Sequence, residues 1–255
     1  MKDIIHQDNK EDLNYIVCSN RDAMGKYAAN LAATKIKSLL KRKEEVRIIF
    51  ASAPSQNEFL HYLTEDKEID WSRVVGFHMD EYIGLPKESD QWFKIYLEKN
   101  LLSKVTFKYF HFIDGMKDPD EMEDLYTSLL NKKQIDMVCL GVGENGHIAF
   151  NDPPVADFED PKMVKKVMLD KYSRQQQVND GCFPHISDVP THALSLTIPA
   201  LTQASTMICV VPGVNKKEAI YKLLHDDITT NCPATIMRRH DDANLIMDEE
   251  AYGKK

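Results

Sequence analysis

Two segments carry reactive side chains at short spacing. Asp80 and Glu81 are adjacent carboxylates that directly follow the apolar run RVVGFHM. A general base needs a pKa near the working pH, and partial burial beside a second acid raises a carboxylate toward it. The same pair is compatible with a helix cap or a turn, where aspartate is common. The second segment, Gly141-Val142-Gly143-Glu144-Asn145-Gly146-His147, ends on a histidine and is followed by Asn151, Asp152 and Pro153. Its glycines, Gly146 among them, permit unusual backbone angles and close approach of a ligand. Asn145 or Asp152 at one nitrogen of His147 would set its tautomer and free the other nitrogen to move a proton. A structurally bonded histidine on a glycine turn fits the same residues.

Two strand-to-helix turns offer anion sites. Pro212-Gly213-Val214-Asn215-Lys216-Lys217 puts Lys216 at a helix start, where free N–H groups and the helix dipole favour phosphate. Lysine at such a place is also common surface decoration. Ala51-Ser52-Ala53-Pro54-Ser55-Gln56 supplies hydroxyl, amide and backbone donors at Ser52, Ala53, Ser55 and Gln56, with a helix cap by Ser55 as the alternative. Arg174, in a polar RQQQ run, is a candidate anion ligand or part of a solvated face. The glycine spacing matches neither a P-loop nor a dinucleotide fingerprint, so ATP and NAD are not expected. The chain has no H-x-x-x-H or H-E-x-x-H motif and no cysteine cluster, and no metal or organic cofactor is expected.

These turns must be positioned by a framework. The 255 residues are 43% apolar and 28% charged, ordinary values for a folded domain with one sizeable core, and a single domain over 1–255 is expected. With 32 basic and 40 acidic residues the net charge is −8, which argues against nucleic acid or an anionic membrane as partner. A small anionic substrate stays compatible, because a pocket can be locally positive. The five cysteines form no C-x-x-C, and Cys139 and Cys209 lie in apolar runs, as expected of reduced thiols in the cytoplasm. No signal-peptide run or membrane span is found.

Apolar runs alternate with amphipathic segments. Strands are expected at 13–18, 46–52, 73–79, 108–113, 135–143, 165–170, 193–198, 206–211 and 244–248. Helices are expected at about 21–43, 55–64, 91–100, 119–131 and 215–225. This rhythm implies an α/β fold, a Rossmann-like mainly parallel sheet with helices on both faces. In such sheets ligands bind beyond the carboxyl ends of the strands. The informative segments are then ASAPSQ, MDEY, GVGENGHIAFND and PGVNK.

Together, FHMDEYIGLP (77–86) and LGVGENGHIAFNDPP (140–154) resemble the signature segments of the glucosamine-6-phosphate deaminase/isomerase family. VPTHALSLTIPAL (189–201), VVPGVNKKEAI (210–220) and NLIMDEEA (244–251) extend the resemblance in order and spacing. It implies the Rossmann-like sheet with an added C-terminal β element, and no cofactor. It implies an enzyme that converts an amino sugar phosphate to a keto sugar phosphate and ammonia, or performs a related aldose–ketose isomerisation. Asp80 then moves a proton between C1 and C2, with Glu81 beside it, His147 opens the sugar ring, and Lys216 binds the substrate phosphate. Asn145 and Asp152 stand where the family usually has Asp and Glu, so the support of His147 keeps one, shorter carboxylate. ASAPSQ replaces a glycine-rich phosphate loop, and the family's phosphate arginine falls at about Asp180, so either Arg174 takes over that role or the substrate differs. Rival expectations are a lactonase of phosphorylated sugar acids and a non-catalytic sugar-phosphate-binding protein. The partner expected is a small-molecule sugar phosphate, and a homo-oligomer stays open.

Overall fold

The uniform apolar runs at 46–50, 74–78, 137–140, 207–211 and 243–248 form strands covered on both faces, as their uniformity demands. The computed structural model describes residues 3–253. Its strands are β1 (Ile4–Lys10), β2 (Leu13–Cys18), β3 (Val46–Phe50), β4 (Val74–His78), β5 (Asp80–Tyr82), β6 (Tyr109–His111), β7 (Met137–Leu140), β8 (Val164–Met168), β9 (His192–Leu196), β10 (Met207–Val211) and β11 (Ala243–Asp248). Its helices are α1 (Arg21–Leu40), α2 (Asn57–Glu65), α3 (Phe93–Leu97), α4 (Pro119–Leu130), α5 (Lys171–Asn179), α6 (Ile198–Thr202), α7 (Lys217–His225) and α8 (Glu249–Tyr252). The main sheet runs β1-β2-β11-β10-β7-β3-β4-β6, parallel throughout except for the antiparallel β1–β2 pair.

The period-two alternation of a strand divides its side chains between two cores. Ile49, Val138, Leu140 and Cys209 enter one core, on the side of α4 and α7. Ile48, Phe50, Met137, Cys139, Ile208 and Val210 enter the other, which α1 and α2 cover with Met24, Ile36, Phe59 and Leu63. α1 starts where the Asn20 side chain accepts from Ala23 N–H at 2.9 Å. It ends at Leu40, short of the expected 43.

β1 has no counterpart among the expected strands. It is an edge strand with mostly exposed side chains, so IIHQDNK lacks the apolar pattern of a covered strand. Its pairing with β2 holds it in place. The expected added β element also takes a different form. The last strand, β11, lies inside the main sheet between β2 and β10, while β5, β9 and β8 form a separate antiparallel sheet drawn from the middle of the chain. A third apolar cluster, including Tyr82, Trp92, Phe150 and Phe183, packs against this small sheet. β5 follows β4 after one residue, so Asp80 is fixed where the two sheets meet. No helix among the described residues is long and apolar enough to cross a membrane.

Candidate active site

A cleft opens at the carboxyl ends of the parallel strands, where α/β sheets bind ligands. Ser52, Ala53 and Ser55 line it after β3, Asp80 after β4, Gly143 and His147 after β7, and Pro212 and Lys216 after β10. α5 and its C-terminal residue bring Gln176, Gln177 and Asp180, and the start of α1 brings Arg21.

Asp80 is 7% exposed. Burial, and then the charge of Glu81, push its carboxyl well above the usual carboxylate range. Glu81 faces the other way, as side chains alternate across a strand. It is fully buried, and its carboxylate accepts from the N–H groups of Tyr82, Phe93 and Lys94, each at 3.0 Å. Burial raises its pKa to about 7 against the pull of those bonds. Glu81 thus caps the start of α3, does not line the cleft, and ties β5 to the helix beside it.

His147 is set from its Nδ1 side. Asn145 Oδ1 lies 2.7 Å and Asp152 Oδ1 3.0 Å from Nδ1. Both oxygens only accept, so Nδ1 carries the hydrogen and Nε2 keeps a lone pair. Ser173 Oγ lies 3.0 Å from the same Nδ1 and donates to Asp152. Asn145 also donates to Asp152, at 2.8 Å. Burial pushes the Asp152 carboxyl up, but the His147 charge and the bonds from His147, Asn145 and Ser173 outweigh it and hold the pKa at about 2. The ring lies so close to Gly143 that a Cβ there would sit 2.1 Å from His147 Cε1, which only glycine avoids. Gly146 has φ +87° and lies against Cys232, where a Cβ would come within 2.5 Å of the sulfur. Asn151 fastens the turn by donating to Ile148 and Leu196 carbonyls. Ala149, on the cleft wall, has φ 48°, a strained angle for a non-glycine residue.

Lys216 is 7% exposed, and its ammonium has no hydrogen-bond or ion-pair partner among the described residues. Burial lowers its pKa, opposed by the charges of Asp180 and Glu144. It stands at the N-terminal end of α7, where the helix dipole adds to its pull on an anion.

Residues 19–247 match the family described as glucosamine-6-phosphate isomerases/6-phosphogluconolactonase. The chain is 33% identical over 217 residues to a glucosamine-6-phosphate deaminase of Bacillus cereus, covering 85% of this chain and 80% of that one. It is 34% identical over 187 residues to a glucosamine-6-phosphate deaminase of Streptococcus agalactiae, covering 73% and 78%. The chain belongs to this family. Among solved structures, a monomeric glucosamine-6-phosphate deaminase superposes with a TM-score of 0.85 at 23% identity, covering 94% of this chain and 99% of that one. A 6-phosphogluconolactonase from Thermotoga maritima gives 0.76 at 19% identity, covering 92% and 99%. These two likenesses show the family's α/β fold.

Against the family resemblance, the departures have definite places. The shorter Asp152 still reaches the histidine, and Asn145 supplies a neutral oxygen at closer range. Asp180 lines the cleft. Arg174 does not: its Nη2 donates to the Ile186 and Val189 carbonyls at 2.7 and 2.9 Å, so it braces the loop after α5. Gln56 is buried behind the cleft, where Nε2 bonds Ser55 Oγ and the Leu140 carbonyl. Asn145, Gly146 and Asp152 stand behind His147 and outside the lining. Ser173 and Arg21 were not expected. Ser173 meets His147 across 26 residues of chain, which no local spacing reveals. Arg21 could have been found, since it follows the carboxyl end of β2 as the other cleft segments follow theirs.

Proposed function

We propose that the chain is an amino sugar phosphate deaminase/isomerase, converting glucosamine 6-phosphate or a close relative, with water, to a keto sugar phosphate and ammonia. The observation that carries this is the sharing of one cleft by a buried carboxyl, Asp80, and a histidine with its Nδ1 hydrogen bonded away. Those are the two groups the chemistry needs. The names of the family relatives support the substrate class.

His147 takes the proton of the C1 hydroxyl on Nε2 and returns it to the ring oxygen as the C1–O5 bond breaks, leaving the open-chain aldehyde. Asp152 stabilises the transient imidazolium, while Asn145 and Ser173 orient the ring. Asp80 removes the C2 proton and delivers it to C1, while one proton passes from the amine nitrogen to O1, so that C1 becomes a CH2OH carbon and C2 an imine. Water adds to that imine, ammonia leaves, and C2 becomes the ketone. The raised pKa of Asp80 suits a group that must take up and give back one proton. Lys216 and the start of α7 hold the phosphate, with Ser52 and Ser55 as neutral donors. The five free cysteines, four of them buried, support a cytoplasmic location.

The test is a panel of amino sugar phosphates, the matching free sugars and a phosphorylated sugar lactone, with ammonia, ketose and acid measured together. Ammonia and ketose in equal amounts from an amino sugar phosphate are expected. Acid from the lactone without ammonia would replace this proposal with the lactonase, and binding without turnover would replace it with a sensor.

A further inference from the structure

We infer that Arg21 is the second cation for the phosphate of the substrate, in the role that the sequence pattern assigned to Arg174. This rests on the reading of the substrate as a sugar phosphate. Among the described residues, the cations on the cleft wall are Arg21 and Lys216, and the acids are Asp80 and Asp180. Asp80 belongs with His147 at the reacting carbons. That leaves the far end of the substrate to the wall built from Arg21, the 52–55 turn, Lys216 and Asp180. Asp180 opposes Lys216 there, so a dianion still needs a second donor of fixed geometry on that wall.

The guanidinium of Arg21 is held for this task. Its Nη2 donates to the Pro54 carbonyl, inside the turn that borders the cleft. Its Nε lies 2.7 Å from Glu58 Oε2, on the helix that follows that turn. Nη1 has no partner among the described residues. A planar fork can hold one hydrogen bond and one ion pair to the protein and keep its remaining N–H groups for a ligand, which an ammonium cannot do with fixed geometry. Ser52 gives an independent pointer. Its hydroxyl is buried on the same wall and has no hydrogen-bond partner, although the residue is only 5% exposed. An unpaired buried hydroxyl is costly unless a ligand completes it. A phosphate oxygen between Ser52 and the Nη1 of Arg21 would satisfy both.

The test uses the full chain and inorganic phosphate as the probe, read by calorimetry and by competition with turnover. Arg21→Gln is expected to weaken phosphate binding at least tenfold, and to raise KM for glucosamine 6-phosphate by a similar factor while kcat changes less than threefold. Glu58→Gln removes the opposing acid and is expected to tighten phosphate binding about threefold. This second variant decides the matter if Arg21→Gln does not fold. Phosphate binding within twofold of the parent in the folded Arg21→Gln protein, or no tightening in Glu58→Gln, overturns the inference. The assay separates it from the functional reading. Phosphate binding that depends on Arg21 in a protein without deaminase activity would leave this inference standing and remove that reading. Deaminase activity indifferent to Arg21 would do the reverse.

Discussion

Replacing Asp152 with Asn tests how the histidine is powered. The substitution preserves shape and leaves an oxygen for Ser173 and Asn145 to donate to, but removes the charge 3.0 Å from His147 Nδ1. The Asp152 carboxyl titrates at about 2 instead of 3.8. At about 1.4 kcal/mol per pKa unit, its charged form is favoured by about 2 kcal/mol net of burial. The His147 charge is the largest of the effects that oppose burial. A hydrogen bond to a charged group contributes about 2 kcal/mol, so loss of the charge beside the imidazolium is worth about 30-fold in rate. Steady-state assays of Asp152→Asn should show kcat/KM on the cyclic substrate down by about 30-fold, with an open-chain analogue changed less than threefold. Stability gives a second readout. A depressed carboxyl pKa contributes stability that is complete above the unfolded value and lost as pH falls through the folded one. The parent's advantage over the variant should be full at pH 5 and about half gone by pH 3 in urea titrations. Turnover of the cyclic substrate within threefold of the parent, or an advantage that does not shrink in acid, would refute this reasoning.

Four further outcomes are expected. Asp80→Asn should lose at least ~10²-fold in turnover; because a raised carboxyl pKa costs stability as pH rises through it, the folded variant should also melt higher than the parent at pH 8. His147→Gln should slow the cyclic substrate far more than an open-chain analogue, and equal losses in rapid-mixing assays would remove the ring-opening role. Gly143→Ala places a methyl against the His147 ring, so both melting temperature and turnover should drop, the latter at least ~10-fold. Glu81 titrates at about 7 instead of 4.5, so its contribution is greatest below pH 4.5 and fades as pH rises through 7. Glu81→Gln leaves one N–H without its acceptor, and its stability deficit in urea should be larger at pH 5 than at pH 8.

The parallel framework was legible in the sequence because covered strands write their environment into uniform apolar runs, as in 137–140 and 207–211. β1 was not, since an exposed edge strand needs no such run. The strand-end rule located the Asp80 and His147 turns and the Lys216 turn, all of which border one cleft. Adjacent letters misled at 80–81, because a strand turns neighbouring side chains to opposite faces and only Asp80 reaches the cleft. Arg174 misled for a different reason: a cation close to a cleft in sequence spends its guanidinium on carbonyls of the next loop. Ser173 depends on how α5 packs over the sheet, which is tertiary information.

The central claim is proton transfer by Asp80 between C2 and C1, coupled to loss of ammonia. Glucosamine 6-phosphate deuterated at C2 tests it directly, with ammonia counted and the product followed by NMR. The parent should release one ammonia per keto sugar phosphate, with the C2 deuterium appearing at C1 or exchanged to solvent from the same step, and Asp80→Asn should do neither at a comparable rate. Ammonia released with the deuterium still on C2 of an aldose product, or exchange at undiminished rate in Asp80→Asn, would contradict the account.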